Sequence, residues 1–352
     1  MTGSVTCSAP GKLVLLGEYA VLFGHPAVVA AVDRRARVEL RPTGGPAWEL
    51  DAPGWAEGPV SFSLDRSGGV RWTDPNPATP SRWTLVERIL EWLLASGTDP
   101  AQLSPASIEL DTCAFFHDAG AGRTKLGLGS SAALTVALTT ALARWAGAPL
   151  PELDSLLELH RRYQGGRGSG VDLAASLVGG VLEYRLAGNG AVAEPLALPA
   201  TLSAVVVWTG RSASTAAFLA RLDERLAVDN GAVESALAGL GRTSRTGVDH
   251  LRAGAVAAWL HDVDRHVDGL DALGRAAGLD ILSDEHRRLR RLARTAGVRY
   301  KPSGAGGGDM GIAFTDDADA AAAFSAAADA AGFIVLEASL DAPGVDCDVV
   351  SS

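Results

Sequence analysis

The chain has 352 residues, of which 47% are hydrophobic and 20% charged, and a formal net charge of −10. That length exceeds what one hydrophobic core usually serves, so two domains are expected, with the composition of a globular protein. The acidic balance argues against nucleic acid or an acidic membrane as a general partner, so any anionic ligand must be captured locally by cations and backbone N–H groups.

In chain order, residues 4–40 read as strand, turn, strand, with Gly17 and Gly24 as punctuation. The stretch 44–81, rich in Gly, Pro, Asp and Trp, reads as hairpins and loops. "RWTLVERILEWLLASG" spaces Leu85, Ile89, Trp92 and Leu93 as a helix does, and Gly97 stops it. "ASIELDTCAFF" is a strand leading into the loop "HDAGAGRTK". "SSAALTVALTTALARWAG" is a buried helix that Ser130 or Ser131 can cap, and "PELDSLLELHRRYQ" a second helix. After "GGRGSGVDLAASLVGG" and the strand "GVLEYRL", composition turns small and polar over 187–202. The boundary is therefore expected there, dividing the chain into 1–190 and 191–352. "LSAVVVWTG" then restarts as a buried strand, helices fill 212–295, and "GVRYKPSGAGGGDMGIAF" is strand, Gly-rich loop, strand. An Ala-rich helix and a closing strand, "FIVLEASLD", follow.

Cys7, Cys113 and Cys347 are odd in number and far apart, which fits neither a disulfide framework nor a zinc spacing and suggests a reducing, cytoplasmic setting. The N-terminal apolar run has no basic leader and is interrupted by Glu18, so it reads neither as a signal peptide nor as a membrane span. His261 and His266 near Asp262 and Asp264 read as a solvated helix face rather than a metal site.

Of 31 Lys plus Arg, only Lys12, Lys125 and Lys301 are lysines, and each lies in or beside a Gly-rich segment. Lysine is a compact point charge and a recurrent phosphate ligand. "KLGLGSSAAL" fails the Walker pattern, because Leu128-Gly129 stands where Lys-Ser/Thr would, and it lacks the acid that a dinucleotide fold needs about 20 residues on. Its chemistry is still that of an anion cradle. Gly127 and Gly129 let backbone N–H groups approach, Ser130 and Ser131 open a helix, and Lys125 adds charge. "APGKLVLLGEYAVLFG" sets Lys12 at a strand start, where it can face a cleft. "KPSGAGGGDMG" places four glycines in residues 304–308, a composition that serves close approach of a ligand or another backbone. In "GRGSGVDLAAS", Asp172 can cap a helix, hold a substrate hydroxyl or hold a metal.

Taken together and in order, "PGKLVLLGEYAVLFG", "GLGSSAA" and "KPSGAGGGD" resemble the three motifs of the GHMP kinases. The resemblance implies an α/β fold of the α+β type, with two domains, the second ferredoxin-like, and an active site in the cleft between them. It implies ATP, bound syn, as phosphoryl donor, and Mg²⁺. Within the family, "GEYAV", "KLGLGSSAA", "GSGVDLAAS", "VWTGRSAST" and the Gly308-Asp309 ending lean toward the members acting on mevalonate 5-phosphate, with Met310 where a cysteine is often found. The product would be the diphosphate, in isoprenoid precursor synthesis.

On this resemblance Lys12 serves the transferring phosphoryl group and the acceptor phosphate, and Asp172 orients the acceptor or acts as a base. Lys125, Gly127, Leu128, Gly129, Ser130, Ser131 and Ala132 bind ATP, with Ser130 or Ser131 on Mg²⁺. Tyr19, Arg167, Ser169, Ser214, Lys301, Ser303 and Gly306 are the candidates for the acceptor. Two alternatives stand beside this reading: a kinase of the same fold acting on an alcohol such as mevalonate, and a ligand sensor that has lost catalysis. Oligomeric state is left open.

Overall fold

A computed structural model of the chain describes residues 2–54, 58–65, 68–73, 83–99, 103–118, 122–163, 168–188, 190–228 and 231–351. Two long antiparallel strands, β1 (Thr2–Leu16) and β2 (Ala27–Pro42), organise the first half. Burial along β1 alternates through Val5, Cys7 and Ala9 and then runs continuously from Leu13, because beyond that point the strand is covered on both faces. The turn between the strands requires Gly17. Its φ is +99°, and a Cβ there would stand 2.6 Å from the Cα of Ala27.

Further strands extend this sheet: β3 (Trp48–Asp51), β4 (Val60–Leu64), β5 (Val70–Trp72) and β6 (Ala106–Asp111). The short hairpin β7 (Phe116–Asp118) and β8 (Arg123–Lys125) stands apart, while β9 (Val181–Ala187) and β10 (Gly190–Pro195) complete the far edge. The order is β10-β9-β2-β6-β3-β4-β5, with β1 pairing to β2. Helix α1 (Thr84–Ala95) buries Leu85, Ile89 and Leu93, the helical spacing read from sequence. Helix α2 (Ser130–Ala146) packs against β1 and β2 and is buried almost all round. Its Thr135, Thr139 and Thr140 tolerate burial because each hydroxyl donates to the carbonyl four residues earlier. Helices α3 (Leu153–Tyr163) and α4 (Val171–Val178) follow.

The second sheet is antiparallel, in the order β12-β13-β11-β14, from β11 (Ser203–Trp208), β12 (Arg299–Ser303), β13 (Met310–Thr315) and β14 (Ile334–Leu336). Helices α5 (Thr215–Leu226), α6 (Gly231–Arg252), α7 (Val256–Ala277), α8 (Asp284–Ala296) and α9 (Ala318–Ala330) accompany it. The halves share a core. One continuous apolar cluster runs from Val5, Leu13 and Leu138 to Trp208, Trp259, Ile312 and Phe314. Within it, Trp259 meets Phe314 edge-on, with ring centroids 4.7 Å apart.

Three expectations are corrected. The division at 190/191 cuts through β10, which belongs with β9 in the first sheet. The closing strand is only Ile334–Leu336, and the chain goes on to β15 (Asp346–Ser351), which returns to pair with β1 in the first sheet. That register sets Cys347 opposite Cys7, with Cα atoms 4.1 Å apart, and the two form a disulfide. The cysteines therefore do not argue for a reducing compartment. Among the described residues, no helix is long and apolar enough to cross a membrane.

Candidate active site

The Gly-rich segments meet around Lys12. Its backbone N–H donates to Leu128 O at 2.8 Å, which joins β1 to the loop before α2. A Cβ on Gly11 would lie 2.7 Å from that same oxygen, so the residue before Lys12 must be small. The Lys12 side chain then passes Gly129, whose missing Cβ would sit 3.1 Å from Lys12 Cγ and 3.6 Å from the Cβ of Asp172. Its ammonium ends 3.7 Å from the Cβ position of Gly304. One lysine thus spans the nucleotide-type loop, the first turn of α4 and the third Gly-rich loop.

Asp172 reaches this point because α4 is docked on β1, where Ser176 Oγ donates to Pro10 O at 2.7 Å. The capping reading of Asp172 is set aside: Gly170 is the N-cap, and Asp172 Oδ1 accepts only the neighbouring N–H of Leu173 among the described hydrogen bonds. The turn before it is held by the Tyr184 hydroxyl, which donates to Ser169 O. Helix α2 likewise begins at Gly129, in the left-handed region, and neither Ser130 nor Ser131 caps it. With no side-chain cap, the first-turn N–H groups are available to an anion.

Lys125 stands across the cleft, two residues before Gly127. Desolvation lowers its pKa and Lys12 adds to that, while the carboxylates of Asp309 and Asp172 oppose both. Asp309 is the residue that sequence reasoning missed. Its carboxyl carbon lies 2.3 Å from where a Cβ on Gly127 would be. Burial raises its pKa, against the hydrogen bond from Ala213 N–H and the charges of Lys12 and Lys125.

Lys301 lies elsewhere than expected. It is wholly buried, and its ammonium donates to Glu18, to Val14 O at 3.1 Å and to Pro302 O at 2.6 Å. Glu18 also engages His266 Nε2 at 2.9 Å and accepts the N–H of Gly304 at 3.4 Å. Burial would push the Glu18 carboxyl up, but Lys301 and His266 outweigh it and hold it at about 2. Lys301 acts on the cleft only at a distance, through its charge on Lys12. Ser303 is equally occupied, accepting Val14 N–H at 2.9 Å and donating to Val14 O at 3.1 Å. Gly306 is a glycine because Ile281 O lies 2.4 Å from its Cβ position, and Ala132 is buried in the core. The side chains of Lys301, Ser303 and Ala132 are thus committed to the interior, and Gly306 has no room for one. The solvated reading of the α7 histidine stretch also fails for His266 and Asp262, both of which are buried.

Among the remaining candidates, Tyr19 is buried and donates its hydroxyl to Ala305 O, closing the first motif on the third. Leu128 is buried and contributes its carbonyl to Lys12, while Ser169 Oγ accepts the N–H of Val171. Ser214 is exposed and caps α5 through the N–H of Ala217. Arg167 lies outside the described residues.

His286, also missed, supports the third loop from beneath. Burial holds its pKa down at about 4, so at neutral pH the ring is uncharged. Its Nε2 then donates to Gly308 O at 2.9 Å, and its Nδ1 accepts the Tyr300 hydroxyl at 2.8 Å. The unfolded chain takes up this proton near pH 6.5 and the folded chain only near 4. Stability from this group is therefore complete above about 6.5 and is lost as pH falls toward 4, by about 3 kcal/mol in all. Urea unfolding of the wild type and of His286→Gln across that window checks this. The variant should lack that part of the acid limb.

Comparison with known proteins bears on this geometry. Residues 108–180 match the family profile "GHMP kinases N terminal domain", and residues 254–333 match "GHMP kinases C terminal". The chain is 32% identical over 343 residues to a phosphomevalonate kinase of Streptomyces sp. (strain CL190), covering 88% of this chain and 89% of that one. It is 30% identical over 321 residues to a mevalonate kinase of Thermococcus onnurineus, covering 86% and 87%. The fold matches Streptococcus pneumoniae phosphomevalonate kinase in complex with phosphomevalonate and AMPPNP, at a TM-score of 0.75 and 20% identity, over 95% of this chain and 99% of that one.

Proposed function

The chain belongs to the GHMP kinase family, and from that membership we propose that it transfers the γ-phosphoryl group of ATP to the phosphate of mevalonate 5-phosphate, giving the diphosphate. It is an ATP-dependent small-molecule kinase, and we place it in the cytoplasm, where ATP is made and used. The single observation that carries the mechanism is the path of Lys12, whose ammonium lies beside the uncapped start of α2 on one side and Gly304 on the other.

An acceptor phosphate is already anionic near neutral pH, so it needs no strong base to become a nucleophile. The obstacle is charge. Two unit charges ~4 Å apart repel by ~4 kcal/mol at an effective dielectric of 20. Catalysis is then mostly positioning and electrostatic compensation. The N–H groups at 127–132 and the helix start hold the triphosphate, and Lys125 adds charge to that side. Lys12 bridges the transferring group and the acceptor. Asp172, whose Cβ stands near Lys12 across Gly129, fixes the direction of that ammonium and the hydroxyl side of the acceptor.

The donor set near α2 is one of hard oxygens, the Ser130 and Ser131 hydroxyls with the carboxylates of Asp172 and Asp309, and it suits Mg²⁺ that is shared with substrate phosphates. When bound, Mg²⁺ supplies neutralisation of the phosphate oxygens. A side-by-side assay of mevalonate and mevalonate 5-phosphate, with product masses, tests the substrate. Turnover is expected only with the phosphate. Equal turnover of both would overturn the acceptor assignment, and binding of ATP and acceptor without product would mark a sensor.

A further inference from the structure

Among the described residues, two that are not glycine hold a positive φ, Tyr19 at 60° and Asp309 at 55°. Tyr19 has a ψ of −46°, and on either side of it Glu18 O accepts the N–H of Ala20 at 2.6 Å. That bond closes a three-residue γ-turn of the rare, strained form, with an aromatic residue at its centre. Strain of this kind persists only where the surroundings over-determine it.

What the turn delivers is a grip on the third Gly-rich loop, residue by residue. Val14 takes the Ser303 hydroxyl through its N–H and its carbonyl. Glu18 Oε1 accepts the N–H of Gly304 at 3.4 Å. The Tyr19 hydroxyl donates to Ala305 O, while the ring lies in an apolar cluster with Leu222, Leu237, Leu240 and Ile281. Further along the loop, Ile281 O accepts the N–H of Gly307 at 2.8 Å.

Between these fixed points lies Gly306, which is buried, yet its N–H has no acceptor among the described residues. A buried donor left without a partner is costly, which favours a ligand that supplies one. Tyr19 sets the direction of this donor. The described peptide bonds are all trans, so the carbonyl and the N–H of the Ala305–Gly306 unit point opposite ways. With Ala305 O held on Tyr19, the Gly306 N–H is turned away from the apolar cluster. The Lys12 ammonium stands close to the same loop, 3.7 Å from the Cβ position of Gly304.

We propose that Tyr19 is a positioning residue whose hydroxyl, by holding Ala305 O, aims the Gly306 N–H at the acceptor phosphate that Lys12 receives. The inference rests on the kinase reading. Tyr19 does not itself touch the acceptor, because its one O–H is spent on Ala305 O. That carbonyl accepts no other hydrogen bond among the described residues. Its peptide is flanked by Gly304 and Gly306, with φ of 100° and 77°, so it is free to rotate once the hydroxyl is gone.

The test is steady-state kinetics of the full chain with ATP and mevalonate 5-phosphate. Tyr19→Phe keeps the ring in its cluster and removes only the donor. The variant should raise KM for the acceptor about tenfold, the worth of one hydrogen bond to a charged group, and leave KM for ATP unchanged. KM is read from the folded enzyme, so a lower melting point alone moves neither value. Combining Tyr19→Phe with Lys12→Ala should lower kcat/KM for the acceptor by less than the product of the two single effects, because both act on one phosphate. A purely structural role for Tyr19 would give independent effects. An unchanged acceptor KM in the Phe variant, a parallel rise for both substrates, or single effects that multiply would overturn the inference and leave the kinase reading intact. Wild type that does not turn over mevalonate 5-phosphate would remove both.

Discussion

Replacing Lys12 by alanine is expected to lower kcat/KM by about three orders of magnitude, with no change in melting. The fold contribution of this residue comes from its backbone, through the N–H to Leu128 O, and the substitution leaves that bond in place. Only the half-exposed ammonium is removed, from the one point where the three loops approach each other. Lys12→Arg should recover little of the rate. A planar fork spreads its charge over a wide plane and does not reproduce the compact point charge placed beside Gly304. A coupled assay with ATP and mevalonate 5-phosphate, beside circular dichroism on heating, checks both halves of the expectation. Wild-type turnover in the alanine variant would take Lys12 out of the mechanism.

The second lysine should behave in the opposite way. Lys301→Met is expected to cost about 3–5 kcal/mol in urea unfolding, because it strands the Glu18 carboxylate in the interior. Neither side chain is more than 2% exposed, so solvent cannot compensate. Combining Lys301→Met with Glu18→Gln should cost less than the sum of the two single changes. Acid gives an independent reading. The Glu18 carboxyl titrates near 2 in the fold and near 4.5 when unfolded. Its contribution is therefore present above about 4.5 and is lost as pH falls toward 2, and Lys301→Met should blunt that loss. If the variant unfolds as wild type does, the buried pair is not what joins these segments.

These contrasting fates mark the limit of what the chain's letters disclose. Gly127 and Gly129 were legible because their reason is local, a left-handed backbone, whereas Gly11 is required by Leu128 O from a loop far along the chain. The three lysines looked alike in sequence. Burial separates them, and it depends on β12 turning Lys301 toward β1, a contact between residues 287 apart. Glu18 and His266 meet across 248 positions, so nothing near either one announced the partner. The strand β15 was overlooked because its short acidic and apolar alternation has no partner nearby in sequence, and the Cys7–Cys347 disulfide was overlooked with it. Asp309 was visible as a motif letter, but its conformation was not.

The apolar cluster that continues from β1 and α2 into Trp208, Trp259 and Phe314 has a kinetic corollary. Two lobes sharing one interior cannot swing apart as rigid jaws without exposing it to water. Traffic of ATP and product must then proceed without a hinge opening of the two halves. Calorimetry should accordingly record a single melting peak for the whole molecule, and nucleotide should shift that peak without splitting it.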